Sequence, residues 1–518
     1  MSADKPARSW RAPLVAALGG VCFALSAPPT DFYPAVLLGL GMLFVATQAV
    51  VRARAVVLMC VIWATSAGLV GMRFVPSVIV RFTDLGLGLG VLALFLLCLI
   101  QSGTWAIGMG LARFAERRTG LDPRLGFGLG TLIALSFVFV IAWTPAGLVS
   151  PWPVLVQLAE LIGEKGVSFL IAVAAALLAS PLVRFVAPAA RESRRPWLGP
   201  LLGALLLALM AGHGALRMRQ VRAAHAALPV VKLGVVQAAV EARMRWQPGA
   251  REQILSRLRR LTVDSEQGGA ELTLWPEAAY PFVLDHAAGR MQRGRRAIVG
   301  NEVRGPVLFG LITNAPSGDA GHNATTVVSA EGLIQVPQAK MELLWFGETV
   351  PLGEHLPFLR KLFSRAGGLI PGTEVALLSS GAARMGVLNC YEDTLPAVGR
   401  KIAKARPNLL VNVTNDAWFG PTAEPELHLR LSALRSIETR LDLVRAVNLG
   451  VPAWVDASGS VRVRGTADKE SVMFVSPALS EAPPTFYVRF GDAPLWVALA
   501  LAMAEAYRRR RLSATRTP

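Results

Sequence analysis

From residue 12 to 213 the chain is a succession of apolar blocks parted by short polar loops. Blocks of that length and composition predict membrane-crossing helices over 12–29, 34–51, 55–75, 85–111, 126–149, 167–187 and 197–214, with a shorter eighth span over 493–507. The eighth contains Glu505, so it must snorkel or thin the bilayer locally, or else lie on the surface as an amphipathic helix. Between about 220 and 490 the pattern changes to that of a globular domain. Runs rich in Val, Ile, Leu and Thr predict strands at 230–237, 272–275, 296–301, 325–329, 385–389, 409–414, 444–448 and 453–455. Apolar residues at helical spacing (Ile254, Leu255, Leu258, Leu261) predict a helix over 248–264, and a second covers 424–440. Strands alternating with helices point to an α/β layered domain.

Composition agrees with this division. Of 518 residues, 53% are hydrophobic and the mean hydropathy is +0.46, too apolar for a soluble chain of this size. The divisions that follow are a membrane domain over 1–215, a folded domain over 228–480, and a C-terminal span with a basic tail over 490–510. The first span has a basic start but no small-residue cleavage site, and further spans follow at once, so it is not read as a signal peptide.

The net charge of +18 raises nucleic acid as a partner, but loop topology accounts for many of the arginines. Lys5, Arg8 and Arg11 precede the first span, and Arg52 and Arg54 follow the second. Arg113, Arg117, Arg118 and Arg124 follow the fourth, Arg184, Arg191, Arg194 and Arg195 the sixth, and Arg508 to Arg511 the eighth. Alternate loops are poor in basic residues. The positive-inside rule therefore places both termini in the cytoplasm and the large domain outside. No nucleic-acid partner is expected.

Candidate chemistry sits in three segments, at least two of them at the ends of predicted strands, where a rigid scaffold presents side chains to a shared pocket. Leu274-Trp275-Pro276-Glu277 offers a carboxylate, Gln338-Ala339-Lys340 an ammonium, and Leu388-Asn389-Cys390 a thiol. Cys390 is the lone cysteine of the polar region; Cys22, Cys60 and Cys98 lie in apolar blocks. Singly these are a surface acid, a solvated lysine and a buried thiol. Together they supply base, cation and nucleophile for acyl transfer at an ester or amide. The six histidines are scattered and no Cys/His ligand spacing or Gly-rich phosphate loop occurs, so neither metal nor cofactor is expected.

The order Glu277–Lys340–Cys390, with Trp-Pro-Glu, Asn-Cys-Tyr-Glu and Asn415-Asp416-Ala417-Trp418-Phe419-Gly420, resembles the nitrilase, or carbon–nitrogen hydrolase, superfamily. The membrane frame narrows the resemblance to bacterial apolipoprotein N-acyltransferases, and Ala27-Pro28-Pro29 with Tyr33-Pro34 is similar to that family's first hairpin. The resemblance implies a multi-pass α-helical membrane domain of about eight spans plus an extracytoplasmic nitrilase-like αββα sandwich, in the bacterial inner membrane. By the same resemblance Cys390 is the nucleophile, Glu277 the general base and Lys340 the electrostatic stabiliser. Glu348, Tyr391, Glu392 and Trp246 are implied as positioning or substrate-binding residues. The implied partners are a membrane phospholipid as acyl donor and a diacylglyceryl-modified apolipoprotein as acceptor, in a ping-pong reaction through a Cys390 thioester.

Three segments depart from the family pattern. The usual Gln-Pro-Asn-Ile after the first strand reads Gln237-Ala238-Ala239-Val240. The usual Tyr-Asp-Lys reads Gln338-Ala339-Lys340, and Leu-Val-Pro-Phe-Gly-Glu reads Leu343-Leu344-Trp345-Phe346-Gly347-Glu348. Two alternatives stay open on the residues: a membrane-anchored amidase using the same triad with water, and a paralogue acylating another amine.

Overall fold

The computed structural model describes residues 10–82, 86–137, 143–187, 195–241, 244, 247–300, 302–314, 321–350, 353, 355–362 and 368–514. The chain divides into two compact units. One comprises Met1–Val80, Asp84–Ala215 and Phe490–Pro518, the other Arg81–Thr83 and Leu216–Arg489.

The first unit is helical. Among the described residues four helices are long and apolar enough to cross a membrane: Ala53–Gly71, Leu87–Thr119, Ala159–Val186 and Leu198–His225. Arg11–Ala24 and Ala35–Gln48 are apolar but have 14 residues each, roughly 21 Å at 1.5 Å per residue and short of a hydrocarbon core. The helices pack through small residues and aromatic rings. A Cβ on Gly108 would lie 2.3 Å from the carbonyl oxygen of Gly130, so helices Leu87–Thr119 and Pro123–Ala134 approach where neither has a side chain. Trp63 stacks between Phe23 and Trp105 and donates its indole N–H to Gly39 at 2.9 Å.

Three expectations for this unit need correction. The apolar run 126–149 is not one helix among the described residues. The helix stops at Ala134, its end marked by the Ser136 hydroxyl bonding back to Leu132, and a separate turn begins at Pro145 behind its Thr144 cap. The helix expected from 167 starts at Ala159 and breaks at Gly163, whose φ of +67° is non-helical. The last helix, Ala493–Ala514, runs on through Arg508 to Arg511, because Glu505 pairs with Arg508 and Arg509 one turn on.

Among its described residues the second unit contains thirteen strands: β1 (Leu233–Gln237), β2 (Leu272–Leu274), β3 (Leu284–Asp285), β4 (Val307–Asn314), β5 (Gly321–Val328), β6 (Gln338–Ala339), β7 (Leu378–Ser380), β8 (Ala383–Asn389), β9 (Leu409–Asn415), β10 (Leu443–Asn448), β11 (Ala453–Val455), β12 (Val461–Arg464) and β13 (Ser471–Val475). They form two sheets, ordered β13-β1-β2-β4-β5-β6 with β3 beside β4, and β12-β11-β10-β9-β8-β7. The central pairs β1/β2, β2/β4, β8/β9 and β9/β10 are parallel.

Alternation along each strand decides the layering. Leu233, Val235, Leu272 and Leu274 of the first sheet meet Val387, Val411, Val413 and Val444 of the second in a common core. Val236, Phe309 and Leu311 face the other way, onto Ile254, Leu255 and Leu258 of helix Ala250–Gln267. Leu388, Leu410 and Leu443 pack under Val398, Ile402 and Leu429, from helices Pro396–Lys404 and Glu424–Thr439. The result is a helix–sheet–sheet–helix sandwich. Of the strand expected over 296–301, residues 296–300 are not a strand and 301 lies outside the described residues; Gly300, at φ +104°, makes an isolated bridge to Val303, and the sheet position belongs to β4.

Candidate active site

Glu277, Lys340 and Cys390 each follow the last residues of a strand, β2, β6 and β8 respectively, so parallel register gathers them at one end of the sandwich. The Trp275-Pro276-Glu277 turn lies flat across β4. A Cβ on Gly310 would sit 2.7 Å from Glu277 Cα and 2.5 Å from the Ala278 nitrogen, so only glycine lets that backbone approach. The Gly310 carbonyl in turn accepts the Tyr280 N–H at 3.0 Å.

Lys340 is 2% exposed. Its ammonium lies 3.2 Å from Glu277 Oε1 and 2.8 Å from Glu348 Oε2, above the Tyr391 ring at 5.4 Å from the centroid. Burial works to lower its pKa, but Glu277 with the Cys390 sulfur and Glu348 outweighs it and holds the amine well above the ordinary lysine range. Glu277 also accepts the main-chain N–H of Asn415 on Oε2 at 3.1 Å. Glu348 accepts the Leu344 N–H at 2.9 Å, which folds the 344–348 loop onto the lysine.

Cys390 sits at a bend, not in a strand. Its φ of +54° is left-handed, a conformation that costs a non-glycine residue about 1–2 kcal/mol. Three neighbours hold it there. Asn412 donates to the carbonyls of Leu388 and Cys390 at 3.1 and 2.8 Å. The Thr325 hydroxyl reaches across the sheets to Asn389 Oδ1 at 2.6 Å. Glu392 accepts the Asn389 N–H at 2.8 Å and, with its other oxygen, those of Met341 and Glu342 at 2.6 and 3.0 Å. That one buried carboxylate ties the nucleophile bend to the lysine loop. Burial pushes Glu392 up to about 7, against the pull of these three N–H bonds.

Burial also raises the Cys390 thiol well above its ordinary value. The Glu277 charge adds to the rise, while Lys340 and a hydrogen bond with Thr414 oppose it. These interactions put the sulfur within electrostatic reach of both Glu277 and Lys340. At rest the group is a neutral thiol beside a carboxylate and an ammonium.

Tyr391 donates its hydroxyl to the Leu343 carbonyl at 3.1 Å, and Glu348 and Glu392 join the cluster as described. Trp246 lies outside the described residues. Trp345 and Phe346, from the segment that departs from the family pattern, are 46% and 40% exposed.

Sequence reasoning missed Asn323. Its Nδ2 donates to both Glu277 Oε1 and Glu348 Oε1, at 2.7 Å each, and its main-chain carbonyl accepts the main-chain N–H of Lys340 at 2.8 Å. The available signal was an amide in the middle of an otherwise apolar and threonine-rich strand, where a buried polar group needs a partner.

Comparison with known proteins places the chain in a family. The carbon–nitrogen hydrolase family model matches residues 232–482, and the apolipoprotein N-acyltransferase N-terminal domain model matches 19–177. The chain is 31% identical over 363 residues to the apolipoprotein N-acyltransferase of Geobacter metallireducens, covering 69% of this chain and 68% of that one. It is 30% identical over 518 residues to that of Gloeobacter violaceus, covering 95% and 94%. Among solved structures, the amidase of Nesterenkonia AN1 from the nitrilase superfamily aligns with 52% of this chain and 97% of its own, at 17% identity and a TM-score of 0.38. Both halves of the chain and full-length relatives agree, and the chain belongs to the apolipoprotein N-acyltransferase family.

Proposed function

We propose that Cys390, Glu277 and Lys340 carry the N-acyltransferase reaction through a thioester. Glu277 takes the thiol proton, and the sulfur attacks the ester carbonyl of a membrane phospholipid. Lys340 stabilises the oxyanion, a contribution of about 3–4 kcal/mol in comparable sites. The intermediate collapses with loss of a lysophospholipid, whose alkoxide receives the proton from Glu277. The α-amino group of a diacylglyceryl-modified cysteine then attacks the thioester and gives up its proton to Glu277. Cys390 leaves as a thiolate and is reprotonated. The amide is more stable than the thioester, so the second step needs no nucleotide.

The observation that carries this reading is the bridging ammonium of Lys340. It lies between two carboxylates, in reach of a thiol at a strained bend. Glu348 and Asn323 fix the lysine and the base, while Tyr391 and Glu392 position the nucleophile. Trp246 is proposed to contact the acyl substrate. The family implies lipoprotein and phospholipid substrates, and both bear chains that would lose much hydrophobic stabilisation outside a membrane. The loop charges support an inner-membrane topology with both termini cytoplasmic and the catalytic domain periplasmic.

The test is incubation of the purified protein with a phospholipid labelled in its acyl chain, with and without a diacylglyceryl peptide. Intact mass is expected to show one acyl adduct on Cys390 that the peptide discharges as amide. Peptide-independent release of fatty acid as the main product would refute transfer and favour hydrolysis. An adduct that survives Cys390→Ala would refute the nucleophile.

A further inference from the structure

A second group of titratable side chains lies on the outer face of the second sheet, and acyl transfer makes no use of it. Glu424 and His428 are four residues apart on helix Glu424–Thr439, so they share one face of it. That face meets Asp416, in the turn that follows β9. One ligand atom from each of Asp416, Glu424 and His428 lies within 4.8 Å of the others, and all three residues are buried. The scattered histidines of the sequence concealed this. The fold, not the spacing, joins His428 to two acids.

Two observations go beyond the cluster itself. Glu424 is only 9% exposed. Its Oε2 and the Oδ2 of Asp416, the latter residue at 0% exposure, are buried acceptors without a partner. Buried carboxylate oxygens are ordinarily satisfied by donors or by a cation. The other observation concerns His428. Its Nε2 is 2.8 Å from Asp393 Oδ1, and Asp393 is ion-paired with the buried Arg445. A carboxylate on the far ring nitrogen is the usual support of a metal-binding imidazole. The near nitrogen, Nδ1, faces Asp416 Oδ1 at 3.3 Å.

Charge makes the same point. Asp393, Asp416 and Glu424 as carboxylates, set against Arg445, leave two negative charges around a neutral imidazole. A divalent cation cancels them. Protons on His428 and Glu424 are the competing solution.

We propose that Asp416, Glu424 and His428 bind one divalent cation of the zinc–manganese class. One imidazole nitrogen with two carboxylates suits that class. The role is structural. The ion fastens the turn after β9 to the helix, next to the strand end where Asn415 holds Glu277 and Thr414 meets the Cys390 thiol. This inference stands apart from the acyl-transfer reading, and its test does not use that activity.

Full-length protein in detergent, carrying Cys390→Ala so that the thiol cannot capture zinc, is stripped with chelator and equilibrated with Zn2+ or Mn2+. Excess metal is removed, and metal per chain is measured by mass spectrometry. The parent is expected to retain about one ion, and Glu424→Gln, which mimics the protonated acid, to bind about 100-fold more weakly or worse. A parent that retains no ion overturns the proposal in favour of protons. Equal retention by Glu424→Gln overturns it by placing the ion elsewhere. If Glu424→Gln fails to fold, Glu424→Ala is read the same way. Paramagnetic resonance of Mn2+ added to the parent gives a separate reading, in which an undiminished free-ion signal is fatal.

Discussion

Asn323→Ala removes a single amide that neutralises nothing, yet it should damage the site measurably. In the native protein the Nδ2 group spends both hydrogens on carboxylates, at 2.7 Å to Glu277 and 2.7 Å to Glu348. A hydrogen bond to a buried charged group contributes about 1.5–3 kcal/mol. Two are lost, and water entering the vacated space recovers part of the sum, so a stability loss of about 2–4 kcal/mol is expected. The catalytic loss is smaller, because only the bond to Glu277 bears on the base. A misplaced base costing about 1.4–2.8 kcal/mol in the barrier slows thioester formation about 10- to 100-fold.

The assay is rapid-quench intact mass of the acyl-enzyme, run beside thermal unfolding of the same sample. Asn323→Asp separates positioning from scaffolding. It keeps the shape but sets a third carboxylate against Lys340, so its acylation should be slower than that of Asn323→Ala. The reasoning fails if Asn323→Ala acylates within about threefold of wild type. It fails equally if the aspartate variant outperforms the alanine one.

Three further outcomes follow from the geometry. Iodoacetamide modification of Cys390 should show no inflection near the ordinary thiol value when followed from pH 7 to 10, because the folded pKa is raised. The linkage has one sign: the folded state keeps the proton after the unfolded thiol has lost it, so this contribution to stability is full below about pH 8.5 and declines above it. A plateau in reactivity at pH 8–9 contradicts the burial argument. Gly310→Ala should cost about 1–3 kcal/mol in stability and lower acylation further, since the new methyl displaces Glu277; unchanged acylation counts against the close approach. Glu392→Gln cannot accept all three N–H bonds with unchanged geometry. Acylation should fall by about 10-fold or more while Lys340→Gln in that background adds less than it does alone; full additivity would uncouple the two loops.

Glu277 and Cys390 were legible because each follows an apolar run, whereas Lys340 follows Pro337-Gln338-Ala339 and was legible only through the family motif. Leu272–Leu274 leads to Glu277 and Val387-Leu388 leads to Cys390, and a polar group at such a place has little other reason to be there. What was illegible depends on pairing between distant segments. Asn323 reads as an ordinary polar residue until β5 and β6 pair through Ala324 and Ala339, which sets it against Lys340. β13 completes the first sheet beside β1, joining the two ends of the domain, and no local pattern announces that. The run Ala297-Ile298-Val299 reads locally as a strand, but Gly300, at φ +104°, turns the chain into an isolated bridge with Val303. The apolar run 126–149 satisfied a length criterion, whereas the local bond of Ser136 and the cap at Thr144 decide where helix stops and starts.

A raised thiol pKa and a nucleophilic role look incompatible, and the charge inventory of the pocket reconciles them. With the thiol neutral, Glu277 and Glu348 against Lys340 leave one negative charge. When Glu277 takes the proton from Cys390, the total is unchanged; the charge has moved from a carboxylate to a sulfur that interacts with the same ammonium. No new charge is buried, so the low dielectric does not penalise the transfer as it penalises loss of a proton to water. The resting thiol is therefore poorly ionised in the sense that bulk pH measures, and readily ionised in the sense that an adjacent base measures. On the proposed mechanism that distinction suits a thioester that must wait for an amine: between turnovers the sulfur would stay protonated and inert, and become a nucleophile only when an acyl carbonyl is present to receive it.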